Sequence, residues 1–207
     1  VDDHPVFRKG LAQLINEESD LEVTGEADGV DEGINLIVQD PPDLVIVDIT
    51  LKDRSGLDLI EYLNQHLPKL PILVISMHDE SLYAERVLRA GALGYITKQE
   101  MTNNVVSAVR QVISGKRYVS STVMDILLEK MSAVPAEKDI HPIQTLSNRE
   151  LEVFELTGRG FKRQQIADRL HLSVKTIGTY RESIKKKLGL KSAAELMKHA
   201  VTFVQKD

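Results

Sequence analysis

The chain of 207 residues has no cysteine, which excludes disulfides, thiolate zinc sites and cysteine nucleophiles. Its six histidines (His4, His66, His78, His141, His171, His199) are scattered without metal-ligand spacing. No apolar run approaches the ~20 residues needed to cross a bilayer, and no signal peptide is visible. Internal repeats and low-complexity tracts are missing as well. A soluble, cytoplasmic protein with no membrane partner is the expectation. The chain also lacks an initiator methionine and opens inside a motif, Val1-Asp2-Asp3, so residues upstream of it are expected.

What is present is enough for one large domain or two ordinary ones: 42% hydrophobic and 28% charged residues. The net charge of −5 hides a division. Residues 1–118 carry −9, residues 119–143 carry −2, and residues 144–207 carry +6. An acidic front and a basic tail seldom belong to one domain, and only the tail is suited to a polyanion.

Apolar spacing divides the front into alternating strands and helices. A strand broken at Val1 precedes a helix from Val6 to Glu17, a strand over 21–25 and a helix over 31–39. The aliphatic run 44–47 reads as a strand buried on both faces. A helix over 57–65, a strand over 72–75, a helix over 82–90, a strand over 94–96 and a helix over 104–114 follow. Strand and helix thus alternate five times, which predicts a doubly wound, five-stranded parallel sheet with its ligand site beyond the carboxyl ends of the strands. A weak helix over 122–131 and the stretch 132–142, with Pro135 and Pro142, read as a linker. Helices over 148–157, 163–170, 174–188 and 193–202 make an all-helical tail.

Asp2 and Asp3 follow the first strand and Asp48 closes the third, its neighbour in such a sheet. Three converging carboxylates repel one another, and a hard divalent cation, Mg²⁺, relieves that repulsion. Ser76 ends the fourth strand and Lys98 the fifth. A hydroxyl and an ammonium beside a metal-bound carboxylate suit phosphoryl transfer onto that carboxylate.

Four stretches, Val1-Asp2-Asp3-His4-Pro5, residues 43–48, residues 72–76 and residues 91–98, resemble the receiver domains of response regulators, whose fold is flavodoxin-like. The resemblance covers roughly the first 118 residues. It implies that Asp48 accepts a phosphoryl group from a sensor histidine kinase. Asp3, Asp48 and the backbone carbonyl of Thr50 would ligate Mg²⁺, with Asp2 acting through water. Ser76 and Lys98 would bind the phosphoryl oxygens, and Tyr95 would rotate inward as the switch aromatic. Gln99 departs from the proline common after that lysine. Thr50 and His78 flank the pocket, where they would tune hydrolysis of the aspartyl phosphate.

In the tail, Ser147 with Glu150 three residues on is a capping box. The turn at His171-Leu172-Ser173 leads to a long helix. There Val174, Ile177, Ile184 and Leu188 share one side, and Lys175, Thr179, Glu182 and Lys186 the other, with Arg181, Lys185 and Lys187 on its flanks. Two helices joined by a tight turn, the second one basic, match a helix-turn-helix whose second helix enters the major groove. Residues 146–153, 165–170, 172–177 and 187–190 resemble the LuxR/NarL-type DNA-binding domain. That likeness implies phosphate contacts from Lys175, Thr176 and Tyr180, and base contacts from Thr179 and Glu182, the latter able to accept from cytosine. Gly178 and Tyr180 depart from the lysine and histidine often found there. The last helix would form the dimer contact.

The domains expected are a receiver over 1–118, a linker with a short helix over 119–143, and a helix-turn-helix domain over 144–207. Together they imply a transcription factor, not an enzyme. Phosphorylation of Asp48 would control its dimerisation and its binding to palindromic double-stranded DNA. Two alternatives remain at this point. One is a regulator with a degenerate receiver that ignores kinases. The other is an aspartate-nucleophile phosphatase, against which Thr50 stands where a second acid is needed.

Overall fold

The computed structural model describes residues 1–52, 54–77, 80–132 and 142–205. The chain divides into two compact units, Val1–Ala133 and Val134–Asp207.

The first unit is built on β1 (Val45–Val47), β2 (Ile72–Ser76) and β3 (Gly94–Thr97), parallel and adjacent in that order. All five residues of β2 are buried, as a central strand covered on both faces requires. On one face, α1 (Pro5–Asn16) and α5 (Met101–Ile113) bury Leu11, Ile15, Val105 and Val109 against Leu73, Ile75 and Ile96. The remaining helices are α2 (Val30–Gln39), α3 (Gly56–His66) and α4 (Glu80–Ala90); α3 packs against both α2 and α4. Their buried residues include Val30, Ile37, Leu57, Ile60, Leu63 and Val87.

Two of the five expected strands are present only as single hydrogen-bonded positions. Val1 N donates to Ile46 O at 2.7 Å, Asp48 N donates to Val1 O at 2.9 Å, and Asp2 N donates to Ala27 O at 3.0 Å. The order across the sheet is therefore residues 21–27, Val1, β1, β2, β3, the 2-1-3-4-5 order of a flavodoxin-like fold. Residues 21–27 form no regular strand. A cavity of about 560 Å³, lined by residues 20–27 and by Val45, Ile46 and Val109, lies beside them.

Beyond α5 the chain returns along β3: Tyr95 N donates to Tyr118 O at 2.8 Å and Tyr118 N to Leu93 O at 3.0 Å. Helix α6 (Ser121–Ser132) then packs against α4. Val123 is buried, and Ser120 Oγ donates to Glu80 Oε1 at 2.6 Å. The stretch read as a linker thus begins with a helix that falls in the first unit, with Val123 buried while Met124 and Leu128 stay exposed. Residues 133–141, in the middle of that stretch, lie outside the described residues.

The second unit opens with a 3-10 turn at Pro142–Thr145. It then holds α7 (Asn148–Gly158), α8 (Arg163–Arg169), α9 (Val174–Leu188) and α10 (Ala193–Val204) around Leu151, Phe154, Ile166, Ile177, Ile184 and Leu196. Gly158 lets α7 and α10 meet closely: a Cβ there would lie 2.2 Å from Ala200 O. Among the described residues no helix is long and apolar enough to cross a membrane.

Candidate phosphoacceptor pocket and nucleic-acid interface

Strand geometry delivers the acidic residues to one place. Asp48 follows β1, and its backbone bond to Val1 sets it beside Asp2. Lys98 follows β3, with its backbone N bonded to Ser76 O at 2.8 Å. The Lys98 ammonium donates to Asp2 Oδ2 at 2.7 Å and to Asp48 Oδ2 at 2.6 Å. It also lies 4.1 Å from the centroid of the Phe7 ring, a cation–π contact. Its side chain is only 5% exposed, and those of Asp2 and Asp48 are 6% and 4% exposed. Burial alone would lower the Lys98 ammonium; the Asp48 charge and the hydrogen bonds to Asp2 and Asp48 outweigh it and raise the group above its ordinary 10.5.

Asp3 joins the same cluster. Ligand atoms of Asp2, Asp3, His4 and Asp48 all lie within 4.8 Å of one another. His4 was read as one of several scattered histidines, yet it belongs here. It holds the N-cap position of α1 without making a side-chain cap, Pro5 taking the first turn. Its Nδ1 instead sits 2.7 Å from Asp3 Oδ1 and 3.4 Å from Asp2 Oδ1. A lone histidine beside two aspartates gives no spacing signal, which is why sequence reasoning missed it.

Three carboxylates against one ammonium leave the pocket negative. The oxygen donors of three carboxylates, with that charge, suit a hard divalent cation, so Asp2, Asp3 and Asp48 fit Mg²⁺. Thr50, expected to contribute its carbonyl, directs its backbone N toward Asp48 Oδ1 at 3.4 Å. Ser76 is fully buried. Tyr95, expected to rotate inward, is already inside at 1% exposed, in a strand flanked by the returning chain. His78 lies outside the described residues.

Gly56 is a second contributor that the sequence reading passed over. Its N donates to Ile49 O at 2.6 Å, and a Cβ there would fall 1.9 Å from Asp48 O. Only glycine allows α3 to start that close to the acidic residue.

In the second unit, α8 and α9 are joined through His171, which adopts a left-handed φ of 52°. Ser173 caps α9 by accepting from Thr176 N at 3.0 Å. Lys175, Thr179, Glu182 and Lys186 are all exposed, while Thr176 and Tyr180 are half-buried. Glu182 pairs with Lys185 at 2.9 Å. Two expectations fail. Val174, read as buried, is 39% exposed, and Arg181, read as a flank of the exposed face, is 8% exposed. Arg181 stands one turn from both Ile177 and Ile184, so helical geometry turns it inward. Burial, and then the nearby Arg163, lower its guanidinium.

Glu150 does more than cap. Its Oε2 accepts from Ser147 N at 2.6 Å, as the capping box predicts, and also from Lys187 Nζ at 2.6 Å. Its Oε1 accepts from Ser183 Oγ at 2.6 Å. The start of α7 therefore holds α9 at two points. Burial alone would raise this carboxyl, but hydrogen bonds from Lys187, Ser183 and Ser147 hold it below its ordinary 4.5.

An α/β unit with a lysine-bridged acidic cluster at its strand ends, joined to a helix-turn-helix unit, is the make-up of a signal-receiving DNA-binding protein. Comparison with known proteins agrees. Residues 1–110 match the response regulator receiver domain family, and residues 144–200 match the bacterial regulatory proteins of the luxR family. The chain is 35% identical over 205 residues to the oxygen regulatory protein NreC of Staphylococcus carnosus, covering 97% of this chain and 94% of that one. It is 34% identical over 201 residues to the response regulator GacA of Pseudomonas aeruginosa, covering 97% and 93%. Among solved structures it resembles RcsB of Salmonella enterica serovar Typhimurium, bound to promoter rprA in the presence of the phosphomimetic BeF3-. The TM-score there is 0.60, at 27% identity over 97% of this chain and 95% of that one. A structure of two RcsB dimers bound to two parallel DNAs has a TM-score of 0.56 at 29% identity, covering 95% and 93%. The chain belongs to the LuxR-type response regulators, a family of DNA-binding transcription regulators and not of enzymes.

Proposed function

We propose that Asp48 accepts a phosphoryl group from a sensor histidine kinase and that this event controls DNA binding by the second unit. The observation that carries the reading is the Lys98 ammonium bonded to Asp48 at 2.6 Å and to Asp2 at 2.7 Å, within the Asp2–Asp3–Asp48 cluster. Asp48 is the nucleophile in this reading: it closes strand β1 of the sheet within the stretch matched to the receiver family, and one of its oxygens accepts from Lys98. Asp3, Asp48 and the Thr50 carbonyl would hold Mg²⁺, with Asp2 acting through water; bound there, it would supply positive charge beside the carboxylates and the transferred oxygens.

Lys98 and the Ser76 hydroxyl bind the transferred oxygens, and β3, with the buried Tyr95 as switch aromatic, and α4 repack around the new charge. That repacking favours a homodimer, in which α10 supplies the contact between DNA-binding units. Two such units then occupy the half-sites of a palindromic operator, with α9 in the major groove. Lys175, Thr176, Tyr180 and Lys186 meet phosphates, and Thr179 and Glu182 face base edges. Arg181 supports α9 from its buried side. The working division is a receiver over 1–118, a connecting segment over 119–143 and a DNA-binding domain over 144–207, in a protein of the cytoplasm.

Incubation with a small phosphodonor and Mg²⁺, followed by intact mass, tests the reading. The wild-type protein gains one phosphoryl group and retards operator DNA more strongly, and Asp48→Ala does neither. An unchanged response in Asp48→Ala defeats it.

A further inference from the structure

We propose that Gly178 is a specificity-determining residue: the bare stretch of α9 backbone it leaves admits the methyl group of a thymine in the major groove. The inference rests on the reading of α9 as the helix that enters the groove, and it names a base that helix selects. Gly178 lies inside α9 (Val174–Leu188), well clear of both ends. A glycine inside a helix weakens it relative to alanine, and here the fold gives no reason for one. Its φ is not among the left-handed ones, and a Cβ built on it meets nothing within 4 Å. Gly158 is the contrary case, with Ala200 O only 2.2 Å from its Cβ position. Gly10 of α1 has the same open space as Gly178, so space alone decides nothing; the neighbours of Gly178 do.

Lys175 lies one turn before it and Glu182 one turn after, both exposed, on the side of α9 turned away from the buried Ile177 and Ile184. Thr179, the next residue, donates its hydroxyl to Lys175 O at 3.2 Å, so its methyl group is what it has left for a base. The backbone N–H and C=O groups of this turn are taken up by the helix itself. Between two charged side chains α9 thus presents a patch that is mostly hydrocarbon. Among the base edges in the major groove, the thymine C5 methyl is the apolar group that such a patch can read. An alanine methyl at position 178 would fill the space that the thymine methyl needs.

The test selects duplexes from a randomised library with the full chain, phosphodonor and Mg²⁺. Each thymine of the selected half-site is then replaced by deoxyuridine, which differs only in lacking the methyl group. Wild type is expected to bind about fourfold more weakly when one particular thymine is replaced, the worth of one buried methyl group. Gly178→Ala is expected to lose that sensitivity and to bind the thymine-bearing duplex less tightly, while melting roughly 4 °C above wild type. Gly10→Ala, the same change on α1, keeps the wild-type deoxyuridine profile. A profile identical in wild type and Gly178→Ala, a profile that Gly10→Ala alters in the same way, or a Gly178→Ala protein that melts no higher overturns the role of Gly178 and leaves DNA binding standing. Failure of the wild-type chain to select any sequence overturns the DNA-binding reading, and Gly178 with it.

Discussion

Lys98 is the residue on which the resting pocket depends. Its ammonium lies between two carboxylates that are otherwise buried side by side, at 2.6 and 2.7 Å. Removing one partner of a buried ion pair leaves an uncompensated charge and costs about 3 kcal/mol. Lys98→Met is therefore expected to unfold at lower denaturant than wild type by about that amount when divalent cations are chelated. Adding Mg²⁺ should restore most of the loss, because a dication drawn to Asp3 and Asp48 supplies the missing positive charge. Denaturation of both proteins with EDTA and with excess Mg²⁺ checks this; a deficit insensitive to Mg²⁺ counts against the cation site. The carboxylates and Lys98 were legible in the sequence because each ends a strand in a predictable register. Phe7, His4 and Gly56 were not. A helix-borne ring, a lone histidine and a glycine spaced by a backbone approach leave no periodic mark, and only the folded chain brings them to Asp48.

At the scale of single elements, ten α-helices among the described residues fall within a few residues of where apolar spacing predicted them. The central strands did too, since continuous aliphatic runs admit little else. Residues 21–25 were the exception: they form no regular strand, although Ala27 just beyond them accepts from Asp2 N. The role of Glu150 was half legible: the capping box is a local pattern, but its bonds to Ser183 and Lys187 span 33 and 37 residues. Glu150→Ala should lower the stability of the second unit by about 2 kcal/mol at neutral pH, through loss of a cap and of a charged hydrogen-bond network. Its folded carboxyl lies below the ordinary 4.5, so the stabilisation is fully present above that value and is lost as pH falls through the lowered one. Thermal melts of wild type and Glu150→Ala should converge in acid. For α6, Glu80→Ala removes the acceptor of Ser120 Oγ. Amide exchange over residues 121–132 should then speed up while exchange in β2 stays unchanged; equal exchange in both proteins would mean that α6 is held by its apolar side alone.

On the scale of the whole chain, charge divides the work: −9 over residues 1–118 and +6 over residues 144–207. Polyanion binding then rests on the tail, and its salt dependence counts the phosphates neutralised, with a slope of about −0.9 for each. Lys186 and Arg181 sit on the same helix and carry the same charge, but Arg181 lies one turn from both Ile177 and Ile184. The structure separates them: Lys186 is exposed, whereas Arg181 is 8% exposed and packed between the turns that bear Ile177 and Ile184. Lys186→Ala should therefore bind DNA more weakly with a salt slope reduced by about one, while its melting temperature stays near wild type. Arg181→Ala should do the opposite, since its aliphatic stem covers apolar surface: melting falls, and the salt slope of the protein that remains folded does not change. Binding isotherms at several salt concentrations, paired with melts of the same preparations, decide between the two roles. A slope that drops by one in Arg181→Ala with unchanged melting would return this guanidinium to the DNA-facing side of α9.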